Sequence, residues 1–116
     1  MAVFFTCEEP QALLKAFQAR IDQSEPKGSI TTWVRSEDRR FYTHRAEVWA
    51  RKAWFRPSVS QTTLMFNIVK PANQNISTVT YAYYHGHLIE TFLAHFDHMF
   101  TDARATAMPS ANDVVG

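Results

Sequence analysis

A chain of 116 residues has room for one ordinary domain and not for two. With 46% hydrophobic and 20% charged residues it can build a core without disulfides or metal, which sets it apart from disordered chains. A net charge of +1 gives no global steering toward nucleic acid or a membrane surface. The one cysteine, Cys7, leaves no partner for an internal disulfide and fits a reducing, cytoplasmic setting. Its thiol reads as a small buried hydrophobe, since no Cys-His spacing marks it as a nucleophile. Residues 1–6 lack the basic region of a signal peptide, and no window approaches the ~20 apolar residues of a membrane span.

Residues 2–6 read as a short strand or a packed arm. A helix follows, with Thr6 and Glu9 placed for a capping box and Pro10 tolerable in the first turn. Leu13, Leu14, Phe17 and Ile21 recur at helical spacing, and Pro26 and Gly28 punctuate the end. The middle of the chain reads as strands. Residues 30–35 place Ile30, Thr32 and Val34 on one face, 40–44 follow a polar turn, 51–56 stop at Pro57, and 61–69 place Leu64, Phe66 and Ile68 together. Residues 45–50 suit one helical turn as well as a strand. A hairpin loop at 71–75 leads to a further strand at 76–84, rich in β-branched and aromatic residues. Gly86 breaks that strand, and a second helix is predicted over about 87–102, with Ile89, Phe92, Leu93, Phe96 and Phe100 as its apolar stripe. A single domain then spans 1–104, and 105–116 read as an extended or mobile tail.

The order (β)α-ββββ-α with short connections predicts an α+β two-layer sandwich, a four- to five-stranded antiparallel meander with two helices packed on one face. The opposite face is then bare. Alternation assigns Trp33, Arg35, Met65, Asn67, Thr80 and Tyr84 to it, and the 51–56 strand adds Lys52, Trp54 and Arg56. A solvated sheet face normally shows Thr, Lys, Glu and Ser, so rings among cations point to an interface. Residues 35–56 carry seven cations and three anions, net +4, while the rest of the chain nets −3. Phe41, Tyr42, Trp49, Trp54 and Phe55 interleave with those cations. Such a surface can bind single-stranded nucleic acid by stacking bases and holding phosphates, although no RNP-like or glycine-rich signature accompanies it. Trp, Tyr, Met and Arg are also the types enriched where a protein pairs with a second copy or with another protein or peptide. The same residues would appear if the cations only solubilised a strand pair and the rings were core.

Four of the five histidines fall in or beside the second helix. His95, His98 and Asp102 share a helical strip at i, i+3 and i+7, a spacing that can hold a metal. The arrangement lacks the i, i+4 pair with an intervening Glu of zinc helices, and a polar helix face is usually just solvated, so no metal or other cofactor is expected. His85 and His87 bracket Gly86 at the strand-helix junction, Glu90 lies one turn on, and His44 can approach them across the sheet. That set is the candidate for acid/base chemistry or for a small-molecule cleft. No phosphate loop, dinucleotide fingerprint or serine elbow is present, and three glycines leave little from which to build a phosphate cradle. The reading these features favour is a non-enzymatic interaction module, cytoplasmic and homodimeric through the aromatic-basic sheet face.

Overall fold

In the computed structural model, which describes residues 2–115, two helices and six strands follow in the order β1 (Ala2–Thr6), α1 (Pro10–Asp22), β2 (Trp33–Arg35), β3 (Tyr42–His44), β4 (Trp54–Val59), β5 (Thr63–Val69), α2 (Thr78–Phe96) and β6 (Asp102–Ala105). The strands form one sheet in the order β2-β3-β4-β5-β1-β6, and every pairing is antiparallel. The class is therefore the α+β sandwich expected from the sequence, with six strands in place of four or five. β2 to β5 are a meander, and β1 inserts between β5 and β6.

Hydrophobic alternation holds where it is strongest. Leu64, Phe66 and Ile68 of β5 face the core with Val3 and Phe5 of β1 and Phe55 of β4. Phe17 of α1 and Phe92 of α2 both pack on Phe66 and on each other, the latter rings 4.9 Å apart, so both helices cover the same side of the sheet. Pro57 does not end β4. β3 pairs with β4 only at Tyr42–Phe55, so beyond that point β4 is an edge on one side and a missing N–H goes unnoticed. α1 begins at Pro10 behind Glu9, with no side-chain cap, so the Thr6–Glu9 capping box does not form.

Three local expectations are corrected. Residues 78–84 are helix, not strand: Ser77 Oγ accepts the Thr80 N–H at 3.1 Å and starts α2 there. The β-branched run Thr78-Val79-Thr80 reads as strand, but Tyr81, Tyr84, Leu88, Phe92 and Phe96 keep the 3.6 period and are all buried. α2 thus runs through Gly86 and stops at Phe96, with Leu93 on its exposed side. Second, β2 is flipped by one residue. Ile30 is buried ahead of the strand, and Trp33 and Arg35 lie on the helix side opposite His44 and Tyr42. Third, Asp102 opens a sixth strand on β1.

Residues 46–52 form a turn containing one helical hydrogen bond, Ala50 N–H to Ala46 O at 2.7 Å. It exits through Arg51 at φ 62°, where Thr43 Oγ1 accepts the Arg51 N–H at 3.0 Å. Residues 106–115 return to the sheet. Val114 bridges Val69, and Asp113 accepts from Asn67 Nδ2 at 2.8 Å and from the Ile68 N–H at 3.0 Å. Burial alone would raise the Asp113 carboxyl, but the donors gathered on it, Ser110 and Asn67 among them, hold it below the ordinary range.

Candidate functional site

Two regions bear on function: the histidine cluster where α2 meets β3, and the side of the sheet away from the helices. In the first, β3 supplies His44 and α2 supplies His87, their rings 4.6 Å apart. Around them stand Trp33, whose ring stacks on His87 at 5.5 Å, and Tyr83, which stacks on Trp49 at 4.1 Å. Trp33 donates its indole N–H to Thr91 Oγ1 at 3.0 Å, and Thr91 in turn donates to the His87 carbonyl. Tyr84 donates its hydroxyl to the Trp49 carbonyl, which ties the 46–52 turn to α2.

The hydrogen bonds set the tautomers of the pair. The Ala46 N–H points at His44 Nδ1 at 3.1 Å, so that nitrogen carries a lone pair and the ring proton sits on Nε2. His87 Nδ1 lies 3.4 Å from Glu90 Oε1, so it carries the proton and Nε2 the lone pair. Both Nε2 atoms are buried without a hydrogen-bond partner among the described residues. One is a donor and the other an acceptor, a complementary pair at the junction of helix and sheet. A metal would need lone pairs on both, and the Ala46 N–H denies it that of His44. Burial, with His87 adjacent, pushes His44 down to about 4. Burial also lowers His87, against the opposing pull of Glu90. Both rings are neutral at pH 7.

His85 lies apart from this pair. It is buried, its Nδ1 is 2.7 Å from the Tyr81 carbonyl, and its ring stacks on Tyr81 at 3.9 Å. The candidate strip His95, His98 and Asp102 does not share one helix face, because α2 ends at Phe96. His95 meets Arg20 at 3.3 Å, His98 is exposed beside Asp97, and Asp102 opens β6. Among the described residues no three His, Cys, Asp or Glu side chains gather closely enough to hold a metal. Cys7 is buried, and burial raises its thiol above the ordinary value, which opposes thiolate chemistry.

The bare side of the sheet keeps only part of the expected set. Trp54, Arg56, Met65 and Asn67 are there. Trp33 is fully buried on the helix side, Arg35 pairs with Asp22 of α1 at 3.0 Å, Lys52 sits over the Trp49 ring, and Tyr84 and Thr80 belong to α2. The 106–115 segment crosses this side, and Arg56 donates to the Asn112 carbonyl at 2.7 Å. Two hollows flank the crossing. One, of about 460 Å³, has Phe41, Trp54, Val69 and Pro71 along its floor with Glu37 and Lys70 on its rim. The other, of about 210 Å³, lies against Phe4, Met65 and Arg104, the guanidinium standing 4.2 Å above the Phe4 ring. Phe41 is one of the rings that the sequence interleaves with cations; Phe4 and Arg104 carry no such signal, since Arg104 lies on a strand with no apolar alternation.

No helix of the described residues is long and apolar enough to cross a membrane. Compared with known proteins, the chain matches no family model, no curated protein and no solved structure.

Proposed function

We propose that the chain is a non-enzymatic protein-interaction module, cytoplasmic and homodimeric, and that the groove beside Trp54 receives an extended peptide segment of a partner. The observation that carries the reading is a contrast between engaged chemistry and unengaged apolar surface. The Nδ1 atoms of His44, His85 and His87 are engaged locally, by the Ala46 N–H, the Tyr81 carbonyl and Glu90, and their rings pack among aromatic side chains, whereas Phe41 and Trp54 line an open groove. At about 460 Å³ that groove falls within the range of roughly 300–1,000 Å³ typical of ligand sites. Its apolar lining, with Glu37, Asp38 and Lys70 beside it, suits an apolar side chain flanked by charged ones, basic ones above all. Nucleic acid fits less well: Arg35 and Arg39 close on Asp22, Arg56 on a backbone carbonyl, and the groove itself is lined by the carboxylates of Glu37 and Asp38. The buried free thiol supports a reducing compartment.

The test is a displayed peptide library panned against the purified protein. Enriched peptides should shift tryptophan fluorescence, and Trp54→Ala should weaken them at least about tenfold with an unchanged melting profile. Enrichment of nothing, or binding indifferent to Trp54→Ala, would overturn the groove as the recognition surface.

A further inference from the structure

The outward arc of α2 is unusual for a surface helix. Val79 is 68% exposed, Leu93 52% and Tyr83 36%, and Ala82, Gly86 and Ala94 are exposed between them. Glu90 is the single acidic or basic residue other than histidine in the 19-residue helix. A helix apolar on nearly all sides is ordinarily a buried one. Gly86 sharpens the point. It stands mid-helix, where glycine is disfavoured, and a Cβ placed there would meet nothing within 4 Å. Nothing within the chain requires the small residue.

We propose that a second copy of this chain docks on α2, antiparallel and about a two-fold axis passing through Gly86. This rests on the homodimer in the reading above and gives it a place other than the sheet face. The spacing is self-complementary. Val79 and Leu93 each lie seven residues from Gly86, so in an antiparallel pair Val79 of one chain meets Leu93 of the other at both ends. Ala82 and Glu90, each four residues from Gly86, fall at the same level on the two helices, while Ile89 packs inward against the core. The two Glu90 side chains are displaced by about 12 Å along the axis, so the only like charges do not face each other. Glycine at the axis lets the backbones approach closely where the helices cross, the spacing of packed helices being set by the side chains at the contact. Area is adequate. A 19-residue helix about 28 Å long and roughly 10–12 Å wide presents on the order of 500 Å² along its outer half. Val48, 68% exposed, and Trp49 on the Tyr83 flank widen that toward the roughly 600 Å² per partner at which specific pairing begins. The chain alone exposes 6776 Å², close to the roughly 6,500 Å² of a compact monomer of its mass, so the fold does not need the partner.

Sedimentation velocity at micromolar concentrations tests this with three single variants and one double variant. The wild type is expected to be a dimer. Gly86→Arg, which has open space in the monomer and a better helix former than glycine, should weaken self-association roughly a hundredfold with unchanged circular dichroism. Val79→Glu and Leu93→Lys should each weaken it, and the two together should restore it, because in this register each new glutamate meets a new lysine of the other chain. A monomeric wild type would sink the homodimer reading itself. A wild-type dimer that survives Gly86→Arg would leave that reading standing and overturn the α2 interface. A dimer lost in Gly86→Arg but not restored in the double variant would overturn the two-fold register.

Discussion

α1 and α2 lie side by side over the same sheet, yet they meet solvent in opposite ways. The outward positions of α1 are Gln11, Lys15, Ala19 and Asp22, and its apolar packing is supplemented by ion pairs, Asp22 accepting from both Arg35 and Arg39. The outward positions of α2 are Val79, Ala82, Tyr83, Gly86 and Leu93 with one carboxylate, and its link to the sheet is a pair of neutral imidazoles among aromatic rings. The same scaffold thus holds one helix finished for water and one that is not. Both helices bury apolar side chains on the inner side, so the difference between them lies in their outward faces.

The comparison is tested first from its shared side. Phe92 packs on Phe5 at 4.1 Å and on Phe17, Phe66 and Phe96, so Phe92→Ala should lose about 3–5 kcal/mol in urea unfolding and loosen both helices together. A loss under 1 kcal/mol would mean that the two helices do not share a core.

Mild acid should act where α2 meets β3. The His44 imidazole is buried and held at about 4, while in the unfolded chain it titrates near 6.5. Between those values the unfolded state binds more protons, so stability rises with pH through the window. The full contribution is present above pH 6.5, and about 3 kcal/mol is lost as pH falls toward 4. The urea midpoint of the wild type should follow that curve, and His44→Phe should flatten it. A midpoint independent of pH over this range would contradict the buried neutral pair.

Gly86→Ala is the finer probe of the outer arc. In dilute solution it should stabilise the chain by roughly 0.5–1 kcal/mol, since it exchanges a poor helix former for the best one at an open position. A comparable small effect belongs to α1. Asp22→Asn removes the carboxylate that exposed Arg39 and partly buried Arg35 share, and a loss of about 1 kcal/mol that shrinks in salt is expected from thermal melts.

The parts of the fold legible in the sequence are those where one pattern dominates. β5 announces itself through Leu64, Phe66 and Ile68, and α1 through Leu13, Leu14 and Phe17. The approach of His44 to His87 was foreseeable from their places on a strand and the element covering it. The rest was hidden by competing signals. Thr78, Val79 and Thr80 carry β propensity, but the helical period beginning at Tyr81 and the Ser77 cap outweigh it. Ile30 looks like the first inward residue of β2 but packs from the preceding loop, and counting from it turns Trp33 the wrong way. β6 is Asp-Ala-Arg-Ala, four residues with too little apolar character to register. The bare side of the sheet was misjudged for the same reason, since Trp33, Arg35 and Tyr84 follow the elements that carry them.

The position of β1 has a consequence for how the chain is made. β1 is flanked on one side by β5 and on the other by β6, and the backbones of Ala2 and Thr106 are hydrogen bonded across a hundred residues of sequence. Its Val3 and Phe5 leave the ribosome about a hundred residues ahead of their partners in β6, and its second edge stays open until residues 102–106 have followed. At synthesis rates of about 5–20 residues per second that interval is several seconds to tens of seconds, long compared with the microseconds in which a hairpin closes. For that time a nascent chain carries an apolar strand with an unsatisfied edge, the kind of surface that recruits a chaperone or a neighbouring chain.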